Sequence, residues 1–182
     1  MYVNRPGTAR ERLLTAALNL FAEHGVSGTS LQMIADRLGV TKAAVYHQFQ
    51  TKDDIVLAVI DPALERLGPI ADHAEAQRGQ TARRETVLAG IVDLVVDERK
   101  VSTTLSFDPV VKRLVSAHPA LRSLHRIRRL LGGTAPDPGS RVRMAVLSGG
   151  LMMAGADPAV IRLDDEDYRD HLLAAARRIL VR

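Results

Sequence analysis

The stretch from Thr29 to Phe49, TSLQMIADRLGVTKAAVYHQF, constrains the fold more than any other part of the chain. Leu31, Ile34, Ala35 and Leu38 recur at i, i+3, i+4 and i+7, the spacing of one apolar helical face. Gly39 follows at once and can take the left-handed backbone that ends a helix. Val40 is apolar and is expected to plug the corner. Thr41 is a good N-cap for a second short helix, anchored by Val45. Two short helices joined by a tight turn form a helix-turn-helix, so DNA is the first partner to test.

The rest of the chain supports a helical setting. It has 182 residues, 46% of them apolar and only 3% aromatic, so a sizeable core must be built from Leu, Val, Ala, Ile and Met. β-Branched runs are few and Asn-Gly hairpin signals are absent, which favours helices throughout. The net charge of +4 suits a polyanion without specifying one. Cysteine is absent, which removes disulfides, zinc fingers and thiol catalysis. The opening MYVNRPGTARERL lacks the apolar segment of a signal peptide. The weakly polar run 144–156 is shorter than the ~20 residues needed to span a bilayer. These features predict a cytoplasmic protein with no membrane partner.

In chain order, Thr8 is expected to cap a first helix carrying Leu13, Leu14, Ala17, Leu20 and Phe21, closed by Gly25. Thr29 or Ser30 caps the second helix, Thr41 the third and Thr51 the fourth, whose first turn holds Asp53 and Asp54. Leu67-Gly68-Pro69 is expected to break the pattern, with a loop or frayed helix from Asp72 to Gln80. Further helices are expected from about Ala82 to Lys100, from Asp108-Pro109, from His118-Pro119, from about 141 to 154, and after the acidic run 164–167. The expected class is all-α with nine or ten helices: a helix-turn-helix domain over residues 1–50 and a helical ligand-binding and dimerisation domain over 51–182.

Physical chemistry assigns roles at the first of these. Thr29 or Ser30 and the amides that open the second helix can grip a phosphate. Thr41, Tyr46 and His47 are polar groups on or beside the short recognition helix. Base reading falls to Lys42, Ala43 and Ala44, with Gln32 from the preceding helix: lysine donates to guanine O6/N7 and alanine methyls meet the thymine methyl. Arg5 or Arg10 can reach backbone or minor groove. Over residues 1–52 there are six Lys/Arg against three Asp/Glu, so a few phosphate contacts per head must set a salt-dependent affinity.

Residues 8–66 resemble the DNA-binding head of the tetracycline-repressor (TetR) family of bacterial regulators. The matching residues are F-A-E-H-G at the end of the first helix, then T-S-L-Q-M-I-A-D-R-L-G-V-T-K-A-A-V-Y-H-Q-F, then T-K-D-D-I-V. The resemblance implies that Tyr46, His47 and Lys52 contact phosphates. It also implies a homodimer that binds a roughly palindromic operator on double-stranded DNA and releases it when a small molecule binds, with repression as the expected mode. Family dimers form through the last two long helices, here about 141–154 and 165–181; the expected interface residues are Met144, Leu147, Leu151, Leu172, Leu173, Ala176 and Leu180.

The effector site is the least legible part. A pocket among the middle helices is expected, lined by some of Leu88, Val92, Leu105, Phe107, Leu121, His125, Leu147 and Leu151. The basic run from Lys112 to Arg129 reads either as a mouth for an anion or as a solvated helix face, with the solvated face favoured. His118 and His125 share a helical face but lack local partners for a metal, so no metal or other cofactor is expected. No nucleophile-elbow, P-loop, zincin or dinucleotide signature is present, so no enzyme is expected. A DNA-binding protein with no ligand remains the third reading.

Overall fold

The structure is a computed structural model and describes residues 7–180. Among these it holds ten α-helices, two 3₁₀ turns and no strand. The helices are α1 (Ala9–Gly28), α2 (Leu31–Leu38), α3 (Lys42–Gln48), α4 (Lys52–Glu75), α5 (Gln80–Asp97), α6 (Arg99–Leu105), α7 (Pro109–Ala117), α8 (Leu121–Gly132), α9 (Pro138–Met153) and α10 (Asp165–Leu180). The 3₁₀ turns, Ala154–Ala156 and Val160–Arg162, fall between α9 and α10. No helix among the described residues is long and apolar enough to cross a membrane.

The chain divides into two compact units. One comprises the chain as far as Asp61 together with Thr104–Leu114. Its helix starts are set by local sequence. The Thr8 hydroxyl accepts from the Glu11 amide at 3.1 Å, while the Glu11 carboxylate accepts from the Thr8 amide at 2.7 Å, a complete capping box. Ser30 accepts from Met33 N at 3.2 Å and Thr41 from Ala44 N at 3.2 Å. Of the two cap candidates for α2, Ser30 therefore serves. Gly39 ends α2 at φ 65°, where a Cβ would be strained. Val40 does not plug the corner: it is 44% exposed, and its amide bonds Ala35 O at 3.0 Å. The turn is closed by backbone hydrogen bonds rather than by that side chain. Leu13, Leu20, Phe21, Ile34, Val45, Phe49, Ile55 and Val56 are buried in this unit.

The other unit comprises Pro62–Thr103 and Val115–Arg182. Its core joins Leu67, Ala71 and Ala74 of α4 to Val87, Leu88, Ile91, Val92 and Val95 of α5, Ile127 and Leu131 of α8, Leu147 and Leu151 of α9, and Tyr168, Leu172 and Ala176 of α10. The expected break at Leu67-Gly68-Pro69 does not occur, and α4 runs on to Glu75 with Pro62 and Pro69 inside it. Proline removes one backbone donor and crowds the carbonyl four residues earlier. Pro69 and Glu65 are both exposed, so the freed carbonyl can turn to water, while buried Leu67, Ala71 and Ala74 hold the helix to the core. Ion pairs tie the periphery: Arg126 to Asp72 and Glu75 (both 2.6 Å), Arg169 to Asp93 (2.6 Å) and Arg177 to Glu85 (2.8 Å). The Arg126 hydrogen bond holds the Glu75 carboxyl below its usual range.

One close approach explains a glycine. The Arg99 guanidinium stacks 4.0 Å from the Tyr168 ring, and a Cβ on Gly155 would lie 2.9 Å from Arg99 Cγ and 3.0 Å from the Tyr168 hydroxyl. Only glycine fits there without displacing that pair.

Candidate nucleic-acid interface

The reading face is built from the corner that precedes α2. Lys52, at the start of α4, gives its ammonium protons to the carbonyls of Val26 (2.6 Å), Ser27 (3.2 Å) and Thr29 (2.8 Å). Those carbonyls lie where α1 ends, Val26 O accepting also from the Thr29 amide at 3.3 Å, and a cation is a fitting partner there. The Thr29 side chain is buried, and its hydroxyl donates to Leu20 O at 3.1 Å and Gly25 O at 2.9 Å. The Val26 amide is met by the Asp108 carboxylate at 3.3 Å, and Asp108 also caps the Val110 amide at 2.8 Å. Asp53 pairs with Arg113 at 2.8 Å. The corner is thus clamped through both its carbonyls and an amide.

These contacts redraw two expectations. Thr29 is turned inward and has no group to offer a phosphate. Lys52 has its three protons directed at protein carbonyls, an arrangement that fastens the end of α1. The spacing of Lys52 from the helix-turn-helix is the same for either role, so the sequence did not distinguish them.

The remaining residues are exposed on α2 and α3 or at their N-caps. Ser30, Gln32, Thr41, Lys42, Ala43, Ala44, Tyr46 and His47 are all exposed, Tyr46 at 46%. Behind them, Ile34, Ala35 and Val45 are fully buried. Arg37 of α2 meets Glu23 of α1 through two hydrogen bonds of 3.1 and 2.7 Å across the exposed edge of the two helices. Lys42 Nζ lies 5.6 Å from the centre of the Tyr46 ring, a cation–π pair one turn apart. Gln32 Nε2 donates to Asp36 Oδ1 at 2.7 Å. Arg10 stacks over Phe49 at 5.3 Å, and Arg5 lies outside the described residues. The positional pairs Gln32–Asp36 and Lys42–Tyr46 are visible as i,i+4 spacings in the sequence and were missed there.

The expected pocket residues are distributed over both units and do not line the depression described below. Leu88, Val92, Leu147 and Leu151 are core side chains of the second unit. Leu121 is half-buried and His125 is exposed on the same unit. Leu105 is buried in the first unit, and Phe107 there is 49% exposed, with Lys112 5.5 Å from its ring. A depression of about 470 Å³ in the second unit is lined instead by Pro69, Ile70, His73, Thr86, Ala89, Gly90 and Asp93. The depression lies beside the small residues Ala89 and Gly90, whereas the large aliphatics of α5 and α9 fill the core. Of the basic run, Lys112, Arg113 and Arg126 have the ring or carboxylate neighbours given above, and Arg122, Arg128 and Arg129 are exposed on α8.

The expected dimer residues fall into two groups by burial. Leu147, Leu151, Leu172 and Ala176 are 7% exposed or less and pack inside the core of the second unit, while Met144, Leu173 and Leu180 are half-buried against the same core. The apolar surface left outward on α9 is Val142 (63% exposed), Ala145, Val146 (56%), Gly149, Gly150 and Met153 (44%). At 100° per residue these fall on one face. A Cβ on Gly149 or Gly150 would meet nothing within 4 Å, so neither glycine is required by packing within the chain. A helix apolar nearly all round carries no phase in its sequence, and only the fold shows which stripe its own core takes.

Comparison with known proteins agrees with this geometry. Residues 13–59 match the family model of bacterial regulatory proteins of the tetR family. The HTH-type transcriptional regulator BetI of Burkholderia mallei is 30% identical over 188 residues, which cover 91% of this chain and 93% of that protein. The HTH-type transcriptional repressor KstR2 of Mycolicibacterium smegmatis is 33% identical over 64 residues, 35% of this chain; the aligned part spans 31% of the length of that repressor. Among solved structures, a TetR family regulator of Streptomyces coelicolor superposes with a TM-score of 0.71 at 23% identity, covering 99% of this chain and 94% of its own, a likeness of fold. The capped α2–α3 pair, its exposed polar surface and a match that runs the length of BetI lead to one conclusion: the chain belongs to the TetR family of transcriptional regulators.

Proposed function

We propose that this protein is a ligand-responsive regulator that binds a palindromic operator as a homodimer and leaves it when a small molecule binds, with repression as its mode. The observation that carries the proposal is the face of α2 and α3, where Ser30, Gln32, Thr41, Lys42, Ala43, Ala44, Tyr46 and His47 are exposed together. Ser30, the amides opening α2, Thr41, Tyr46 and His47 serve as phosphate contacts, which fix register. Gln32, Lys42, Ala43 and Ala44 meet base edges. Thr29 and Lys52 are assigned to the corner behind that face. Residues 1–50 act as the reading head and 51–182 as the part that senses and dimerises.

Two observations support the finer parts of the reading. The outward stripe Val142, Val146, Gly149, Gly150 and Met153 supplies an apolar, closely approachable surface for a second copy, which a C2 dimer uses twice. The depression beside Ala89 and Gly90 falls within the roughly 300–1,000 Å³ typical of small-molecule sites, and it offers His73, Thr86 and Asp93 as polar groups. Such a regulator works in the cytoplasm, on the chromosome, and needs no catalytic group.

The test is selection of duplexes from a random pool, followed by a metabolite screen for release of the selected site. The reading expects an inverted repeat to be enriched and at least one metabolite to lower its retention. Selection of no repeat contradicts the DNA reading; a repeat that no metabolite releases contradicts only the sensing.

A further inference from the structure

We propose that Asp36 is a specificity-determining positioning residue: it holds the Gln32 amide with its oxygen outward, so that the head selects adenine at the position Gln32 meets. The proposal rests on the reading of α2 and α3 as a DNA-reading face. Gln32 and Asp36 are four residues apart on α2, both exposed, with Nε2 of Gln32 2.7 Å from Oδ1 of Asp36. A glutamine amide has one donor end and one acceptor end, and on its own either can face a partner. A carboxylate offers acceptors only, so the end that meets Asp36 must be the NH₂. With the amide turned over, Oε1 would face Oδ1 at the same distance, two oxygens with no proton between them.

The consequence is chemical. One amide hydrogen is committed to Asp36, and Gln32 presents Oε1 and its second hydrogen outward. In the major groove adenine offers an N6 donor and an N7 acceptor, the complement of that pair. Guanine offers two acceptors, N7 and O6, and places O6 against Oε1. Thymine offers an acceptor and a methyl group. Asp36 itself is an exposed anion on the same helix as Gln32, so its repulsion of a polyanion lowers affinity for every duplex alike. Its presence beside Gln32 is therefore read in the ratio between bases, not in overall binding.

The experiment selects duplexes from a random pool with three full-length proteins: wild type, Gln32→Ala and Asp36→Ala. Both replacements are at exposed helical sites, and thermal unfolding checks that each variant keeps the wild-type midpoint. The expected result is one position per half-site where wild type favours adenine over guanine and Gln32→Ala shows no preference. At that position Asp36→Ala is expected to lower the adenine-to-guanine ratio by roughly threefold or more, the worth of one oriented hydrogen bond, while binding the pool more tightly overall. A wild-type ratio retained by Asp36→Ala overturns the proposal and leaves the DNA reading standing. So does a Gln32-dependent position that favours guanine or thymine, or a preference that Gln32→Ala leaves intact. Failure of the wild type to select any sequence overturns the DNA reading and the proposal with it.

Discussion

Lys52 is the residue whose role the structure changes most. An ammonium with all three protons on the carbonyls that end α1 is a charge-assisted cap, and such bonds are worth more than neutral ones. Lys52→Ala leaves those carbonyls short of a partner and is expected to destabilise the protein by about 2 kcal/mol, half-burial and water access keeping it from the sum of three bonds. Denaturant unfolding reads this directly. A wild-type midpoint combined with an equal loss of affinity for all duplexes would return Lys52 to the phosphate list. Thr29 belongs to the same corner, because its hydroxyl closes the turn from inside.

At the scale of elements, the starts of α1, α2 and α3 and the end of α2 were legible because caps are local: Thr8, Ser30 or Thr29, Thr41 and Gly39 announce them within three or four residues, whereas α1, expected to close at Gly25, is carried past a kink there to Gly28. Beyond that range legibility fell away. Whether α4 stops at Pro69 depends on the core that holds its inner face, and the chain beside the proline carries no sign of that core. The phase of α9 was hidden for the opposite reason, since apolar residues on every side fit any orientation. That phase makes a sharp contrast between neighbours. Val146→Asp places a charge on the outward stripe and is expected to give folded monomers with weakened operator binding, checked by sedimentation and circular dichroism. Leu147→Asp buries the charge in the subunit's own core and is expected to cost the fold, because an unpaired buried carboxylate is expensive. A folded monomer from Leu147→Asp, or an intact dimer from Val146→Asp, would move the interface elsewhere.

For the whole molecule, the charge balance is modest and the holding of DNA must come from placement. The net charge is +4 over the chain, and the two polar base readers, Gln32 and Lys42, each have a side-chain neighbour one turn away. Such a head gains from being used twice, since a dimer that meets two half-sites in one binding event turns weak single contacts into a stable pair. The central claim is therefore two copies of the α2–α3 face in successive major grooves. Hydroxyl-radical footprinting of a selected duplex tests it most directly. The account expects two protected half-sites related by a two-fold axis, with centres about 34–36 Å apart, one turn of the helix or a multiple of it. A single protected segment, or protection that follows no sequence, would contradict it.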